Sequence, residues 1–267
     1  MAISPIALTL VLAAAGFHAA WNLLLHDTSD RGAAMTVAGL AAGLALLPFT
    51  LAAPPWQAWP LILLSALAET AYALCLAAAY RHGALSLAYP LGRGVSPLLI
   101  TLGGWVILSQ PPAPLALAGA LLLAAGLAIV ASAGRRSGQM AAVGFALLTG
   151  CAIASYSLVD ARAVRQVAPL AYLGPVLLLQ GVLLLITMRG GRARVRQSLR
   201  PGLLIAIGST AAYLLVLFAF QLAPAGRVST LREVSVLIGI ALARDKPGWR
   251  LWAGAVLVVG GMFLTAT

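Results

Sequence analysis

Four charged side chains fall within long apolar stretches of this sequence: Glu69, Arg93, Arg232 and Glu233. A charge at membrane depth is costly, so such residues face a cavity or a partner rather than lipid. Arg93 lies about nine residues into its stretch, roughly 13 Å at 1.5 Å per residue, close to mid-bilayer. Its signature, Arg93-Gly94-Val95-Ser96, returns as Arg232-Glu233-Val234-Ser235 in the second half of the chain. Two guanidinium forks from equivalent places would suit a carboxylate or phosphate, whose oxygens accept paired hydrogen bonds. The structural alternative is a pair of staples, Arg93 to Glu69 and Arg232 to Glu233. Pro90, Gly92, Gly94 and Pro97 loosen the helix around Arg93, freeing backbone carbonyls that can line a cavity.

Other polar residues gather at helical spacing. Glu69, Tyr72 and Tyr80 share one helix face, and Thr210, Tyr213 and Gln221 repeat the same offsets in the second half. A polar face on an apolar helix points to a wet lining, although tyrosines also serve in packing. His18 and Asn22 stack one turn apart with Trp21 beside them, and histidine titrates near neutral pH. Substrate contacts are therefore expected from Arg93, Arg232, Tyr72, Tyr213, His18 and Asn22. Burial disfavours the ionised form of a carboxyl. Glu69, the sole acidic residue at depth in the first half, is the candidate for proton coupling, with a permanent Arg93 salt bridge as the alternative. Tyr156 and Asp160 also lie one turn apart, with Asp160 near a segment end, where it reads as a cap or a partner of Arg162 and Arg165.

The elements that position these groups follow from composition. The chain is 62% hydrophobic and 9% charged, with a mean hydropathy of +1.00. Soluble proteins carry about 25% charged residues, so lipid must be the main solvent here. Apolar runs of about 20 residues cross a bilayer as helices. They are expected near Pro5–Leu25, Gly32–Ala53, Trp59–Tyr80, Ala84–Leu108 and Leu115–Ala133, then Met140–Val159, Ala168–Met188, Gly202–Leu222, Ala225–Ala243 and Leu251–Ala266. The runs are continuous and rich in Leu, Ala and Gly, unlike the weak alternation of a β-barrel. The expected fold is all-α integral membrane, about ten helices in two five-helix repeats, residues 1–134 and 139–267. Glycine stripes Gly119–Gly126 and Gly254–Gly261 recur in both halves, and with Gly39 and Gly43 they read as helix-packing faces. An odd number of spans per half inserts the halves in opposite orientation. The N-terminus lacks a basic leader region, so the first run is expected to be a retained span. Cys75 and Cys151 both fall inside spans and read as packing residues, not a disulfide.

Several functions are disfavoured. The net charge of +11 concentrates at Arg189–Arg200 and at Arg135 and Arg136, without interleaved aromatics, which fits lipid contact and topology better than nucleic acid. No metal-spaced His/Cys cluster, GxSxG or Walker loop is present, so no enzyme, metal or cofactor is expected. The expected partners are a small molecule and the bilayer, with the chain a monomer or homodimer.

The chain resembles the drug/metabolite transporter superfamily, specifically its EamA-type ten-helix members. The matching stretches are His18-Ala19-Ala20-Trp21-Asn22, Ala79 through Ser86 leading into Tyr89-Pro90-Leu91-Gly92-Arg93-Gly94-Val95-Ser96-Pro97, and Leu231 through Leu237. The resemblance implies a multi-pass inner-membrane carrier with a cavity lined by helices 1, 3, 4, 6, 8 and 9, and helices 5 and 10 peripheral. It departs from the family at Ser109-Gln110-Pro111, where a glutamate is common, and in a second half about one helical turn shorter around Asp245. The function expected is secondary transport of a small anionic or zwitterionic, amino-acid-like metabolite by alternating access. Alternatives are export of amphipathic drugs, a lipid-headgroup flippase, or a non-transporting scaffold.

Orientation is where charge and resemblance part. With ten spans, Arg31, Arg81, Arg135, Arg136, the Arg189–Arg200 cluster, Arg244, Lys246 and Arg250 face away from the N-terminus, while Arg162, Arg165 and Arg227 share its side. The positive-inside rule then predicts both termini outside the cytoplasm; the resemblance implies both inside. C-terminal fusions to a periplasm-only phosphatase and a cytoplasm-only fluorescent protein decide it. The charge count predicts an active phosphatase and a dark fluorophore, and fluorescence would overturn it.

Overall fold

The computed structural model describes residues 4–136, 138–188, 191–232, 235 and 248–266. Among them there are helices and no strand. The principal helices are α1 (Pro5–Asp27), α2 (Arg31–Ala52), α3 (Trp59–His82), α4 (Leu85–Leu108) and α5 (Pro114–Arg136). They continue as α6 (Met140–Ala163), α7 (Pro169–Thr187), the short α8 (Gly191–Gln197), α9 (Leu199–Leu222), α10 (Ala225–Arg232) and α11 (Trp249–Ala266). Local chemistry sets several ends. Ser4 caps α1 by accepting from the Ala7 amide, with Pro5 in the first turn where its missing N–H costs nothing. Asp30 caps α2 through the Ala33 amide, and α4 stops where Ser109 turns left-handed at φ 54°.

Among the described residues seven helices are long and apolar enough to cross a bilayer: α1, α2, α3, α4, α6, α7 and α9. The expected fifth and tenth spans coincide with α5 and α11, whose apolar segments are shorter, at Ala118–Ser132 and Trp249–Leu264. The expected ninth span begins with α10; its continuation, with Glu233, Asp245 and Lys246, lies outside the described residues. The outer surface carries large apolar side chains, such as Val106 at 81% exposure, as contact with lipid requires.

The helices meet in pairs. α2 packs on α7, α5 on α11, α3 and α4 on α6, and α1 on α9. Glycine makes the closest approaches possible. A Cβ on Gly39 would lie 3.0 Å from the Leu177 carbonyl oxygen, and one on Gly181 only 2.6 Å from the Leu40 amide nitrogen. In α5 and α11 the expected stripes face each other, a Gly126 Cβ falling 2.7 Å from the Gly254 carbonyl oxygen. Backbones this close gain dispersion contacts that lipid does not compete away.

The arginine-rich stretch between the seventh and eighth spans, read from sequence as a loop, contains α8. From it Arg194 reaches Asp30 with Nε–Oδ2 and Nη2–Oδ1 distances of 2.7 and 2.8 Å. These bonds hold the Asp30 carboxyl below its usual range. The stabilisation is present above that range and is lost as pH falls through the lowered value. With the side chains 41% and 29% exposed, the pair contributes only ~0–1 kcal/mol.

The glycine contacts give a direct test. Gly181→Ala should destabilise the protein by roughly 1–3 kcal/mol through overpacking, read as a lower unfolding midpoint in detergent. Gly144→Ala, whose Cβ meets nothing within 4 Å, should be neutral or stabilising by up to about 1 kcal/mol. Equal shifts in the two variants would contradict this packing.

Candidate functional site

Between them α1, α2, α3, α6, α7 and α9 line a cavity of about 50 Å³, room for a few water molecules. Helix α2 lines it with Met35, Ala38, Gly39 and Ala42, and the other five helices contribute polar or aromatic residues. From α1 come His18 and Trp21, whose rings meet edge-on with centroids 5.0 Å apart. Helix α3 supplies Glu69 and Tyr72, and α9 supplies Thr210 and Tyr213. Tyr156 of α6 stands between the two tyrosines, edge-on to Tyr72 at 5.7 Å and to Tyr213 at 5.5 Å. The offset-3 pairs read in the sequence thus meet across one tyrosine ladder, while Tyr80 and Gln221, the offset-11 members, stay outside the wall.

Of the residues expected to contact substrate, His18, Tyr72 and Tyr213 line this cavity, together with Glu69. Asn22 does not. Its amide donates to the His18 carbonyl and its Oδ1 accepts from the Tyr80 hydroxyl, each at 2.9 Å, so it clamps α1 to α3. Arg93 and Arg232 are buried, at 3% and 1% exposure, but neither belongs to the wall. The Arg93 Nη1 sits 3.0 Å from His18 Nε2, so the imidazole stands between this guanidinium and the cavity. Arginine only donates, which makes Nε2 the acceptor and places the ring proton on Nδ1.

The Arg93–Glu69 staple does not form. Glu69 instead meets α7, where the Gln180 amide nitrogen lies 3.0 Å from its backbone oxygen and 3.3 Å from Oε2. Glu233, the staple expected for Arg232, lies outside the described residues. Among the described residues the three Arg232 guanidinium nitrogens have no hydrogen-bond partner, and neither do His18 Nδ1, Trp21 Nε1 and the Thr210 hydroxyl. Buried donors without a partner are uncommon, and a group of them around one cavity fits an acceptor-rich occupant.

Two site residues escaped the sequence reading. Asp160, expected as a cap or a partner of Arg162 and Arg165, is fully buried while both arginines are exposed. The cause is that α6 runs on to Ala163, which leaves Asp160 inside the helix on the Tyr156 face. Its carboxylate accepts from the Tyr172 hydroxyl at 2.6 Å and from the Tyr213 hydroxyl, tying α6 to α7 and α9. Gln180 was signalled only as a lone amide in the run Leu177-Leu178-Leu179. The wall also departs from what the resemblance implied, since α2 and α7 contribute to it and α4 does not.

The carboxylate between two tyrosines predicts a graded loss of stability. Tyr172→Phe removes one donor and should cost roughly 1 kcal/mol; Asp160→Ala orphans two buried hydroxyls and should cost roughly 2–3 kcal/mol. Thermal unfolding in detergent reads both, and an Asp160→Ala shift no larger than that of Tyr172→Phe would contradict the assignment.

Comparison with known proteins places this architecture. A crystal structure resembles the chain over 97% of its length and 95% of the other's, with a TM-score of 0.67 at 17% identity, a likeness of fold alone. No curated protein matches the chain. Residues 140–267, the second half of this multi-pass membrane chain, match the EamA-like transporter family, part of the drug/metabolite transporter superfamily.

Proposed function

We propose that this protein is a secondary active transporter in the inner membrane, carrying a small anionic or zwitterionic, amino-acid-like metabolite by alternating access. The observation that carries this reading is the cavity between the helices with its partnerless donors, His18 Nδ1, Trp21 Nε1 and the Thr210 hydroxyl. A carboxylate supplies the acceptors those groups want. Arg93 and Arg232, buried nearby, supply positive potential in a setting without bulk water to screen it. Glu69 offers the opposite charge, as an ammonium group would require. Ligand sites ordinarily measure about 300–1,000 Å³, so a cavity of about 50 Å³ must widen to load a substrate.

Two inverted halves, residues 1–134 and 139–267, would supply that opening. In support, the neighbour relations exchange when α1–α5 are matched with α6, α7, α9, α10 and α11. The pairs α2–α7 and α5–α11 then each join equivalents, the α3–α6 contact mirrors α9–α1, and α3–α7 mirrors α9–α2. Such a pseudo-two-fold, with the site on the axis, lets the halves rock to expose either side.

Glu69 is the proposed proton carrier, because its carboxylate faces the cavity and is bonded by a neutral amide. Substrate uptake by reconstituted liposomes, with labelled amino and organic acids and an imposed pH gradient, tests the reading. Saturable uptake of at least one acid is expected; uptake of none, or of apolar cations instead, would overturn the substrate class. Glu69→Gln fixes a protonated-like form, so counterflow should survive while pH-driven accumulation disappears. Accumulation that still follows the gradient would make Glu69 structural.

A further inference from the structure

A trough of about 760 Å³ runs along the outer face of the bundle where α3, α4 and α6 meet. It shares no residue with the central cavity. Its sides are apolar: Leu61 and Leu64 from α3, Leu99 and Ile107 from α4, and Leu158 from α6. One end is polar, formed by Gln57, Arg162 and Gln166. The start of α3, the end of α4 and the end of α6 all lie there, which puts the polar end at a membrane surface. The apolar floor continues toward mid-bilayer as far as Cys151, eleven residues before Arg162 on α6, or roughly 16 Å along the helix. Leu64 and Ile107 are 54% and 55% exposed, so the trough opens sideways to lipid. Arg162 is exposed and, among the described residues, forms no ion pair.

We propose that this trough holds one anionic glycerophospholipid, its phosphate on Arg162 and an acyl chain along Leu64, Leu99 and Leu158. Charge selects this occupant. Guanidinium and phosphate make short charge-assisted bonds, and basic recesses between membrane helices retain anionic headgroups. The amides of Gln57 and Gln166 add donors at the same depth. A second copy docked about a two-fold through this trough would bring the two Arg162 side chains together, a like-charge contact at membrane depth. An apolar partner helix would leave Arg162 without a counter-charge.

The test uses purified full-length protein in detergent, with bound lipid counted by native mass spectrometry. Phosphatidylglycerol and phosphatidylcholine with identical acyl chains are offered in turn. The unsubstituted chain should retain phosphatidylglycerol about fivefold better, the contribution of one basic residue near the surface. Arg162→Gln should abolish the preference, whereas Arg165→Gln, one turn on and outside the trough, should keep it. Ser155→Phe, which sets a ring into the trough from a lipid-exposed position, should weaken retention of both lipids. Equal loss in Arg162→Gln and Arg165→Gln would reduce the effect to surface charge and overturn the site. So would undiminished retention in Ser155→Phe, or a dimer that Ser155→Phe disperses. None of these readouts depends on transport.

Discussion

Inside a bilayer a polar side chain has no water to fall back on, and its partners must come from the protein. That constraint organises the interior of this molecule. Asp160 accepts two tyrosine hydroxyls, Gln180 holds Glu69, and Asn22 bridges its own helix to Tyr80. Apart from the Asn22 bond back to His18 within α1, each bond joins different helices, so satisfying a buried group also fixes where its neighbour stands. Paired groups form the scaffold. Among the described residues, His18 Nδ1, Trp21 Nε1 and the Thr210 hydroxyl at the central cavity lack a protein partner, as do the buried hydroxyls of Thr101, Ser157 and Ser229 elsewhere.

Close packing makes the enclosure possible. Lipid tails are as apolar as leucine, so helices gain little from hiding leucine from lipid and much from close backbone contact. Glycine at the α2–α7 and α5–α11 contacts supplies that approach on two flanks of the bundle. The helices between them carry the chemistry. Tyr156 sits where α3, α6 and α9 converge, and its ring contacts both Tyr72 and Tyr213, so a shift of α6 would be felt on both sides of the cavity. Asp160 lies one turn further along α6 and binds the same Tyr213, which couples this ladder to α7 through Tyr172.

Much of this was legible in the sequence, and the misses have a common cause. Among the described residues composition and run length located the long helices, and the offset of 3 residues found the cavity-facing pairs Glu69/Tyr72 and Thr210/Tyr213, whereas at offset 11 Tyr80 bonds Asn22 and Gln221 is exposed. Periodicity along one helix says which residues share a face; it does not say what stands opposite. Arg93 is buried, yet His18 from α1 lies between it and the cavity. Glu69 and Arg93 were paired on charge alone, while the fold sends Glu69 to α7. Asp160 was misplaced because α6 extends four residues past the expected end at Val159, and that one turn separates a cap from a buried acceptor. The Arg194–Asp30 bond joins residues 164 positions apart, a distance that no local pattern spans.

The central claim is that the cavity beside Thr210 receives solute from both sides of the membrane in turn. Thr210→Cys, in a chain whose free Cys75 and Cys151 are replaced by alanine, tests it with a membrane-impermeant thiol reagent added to either side of oriented vesicles. The account predicts labelling from each side, slowed from both by the transported acid. Labelling from one side only, or labelling that the acid leaves unchanged, would contradict it.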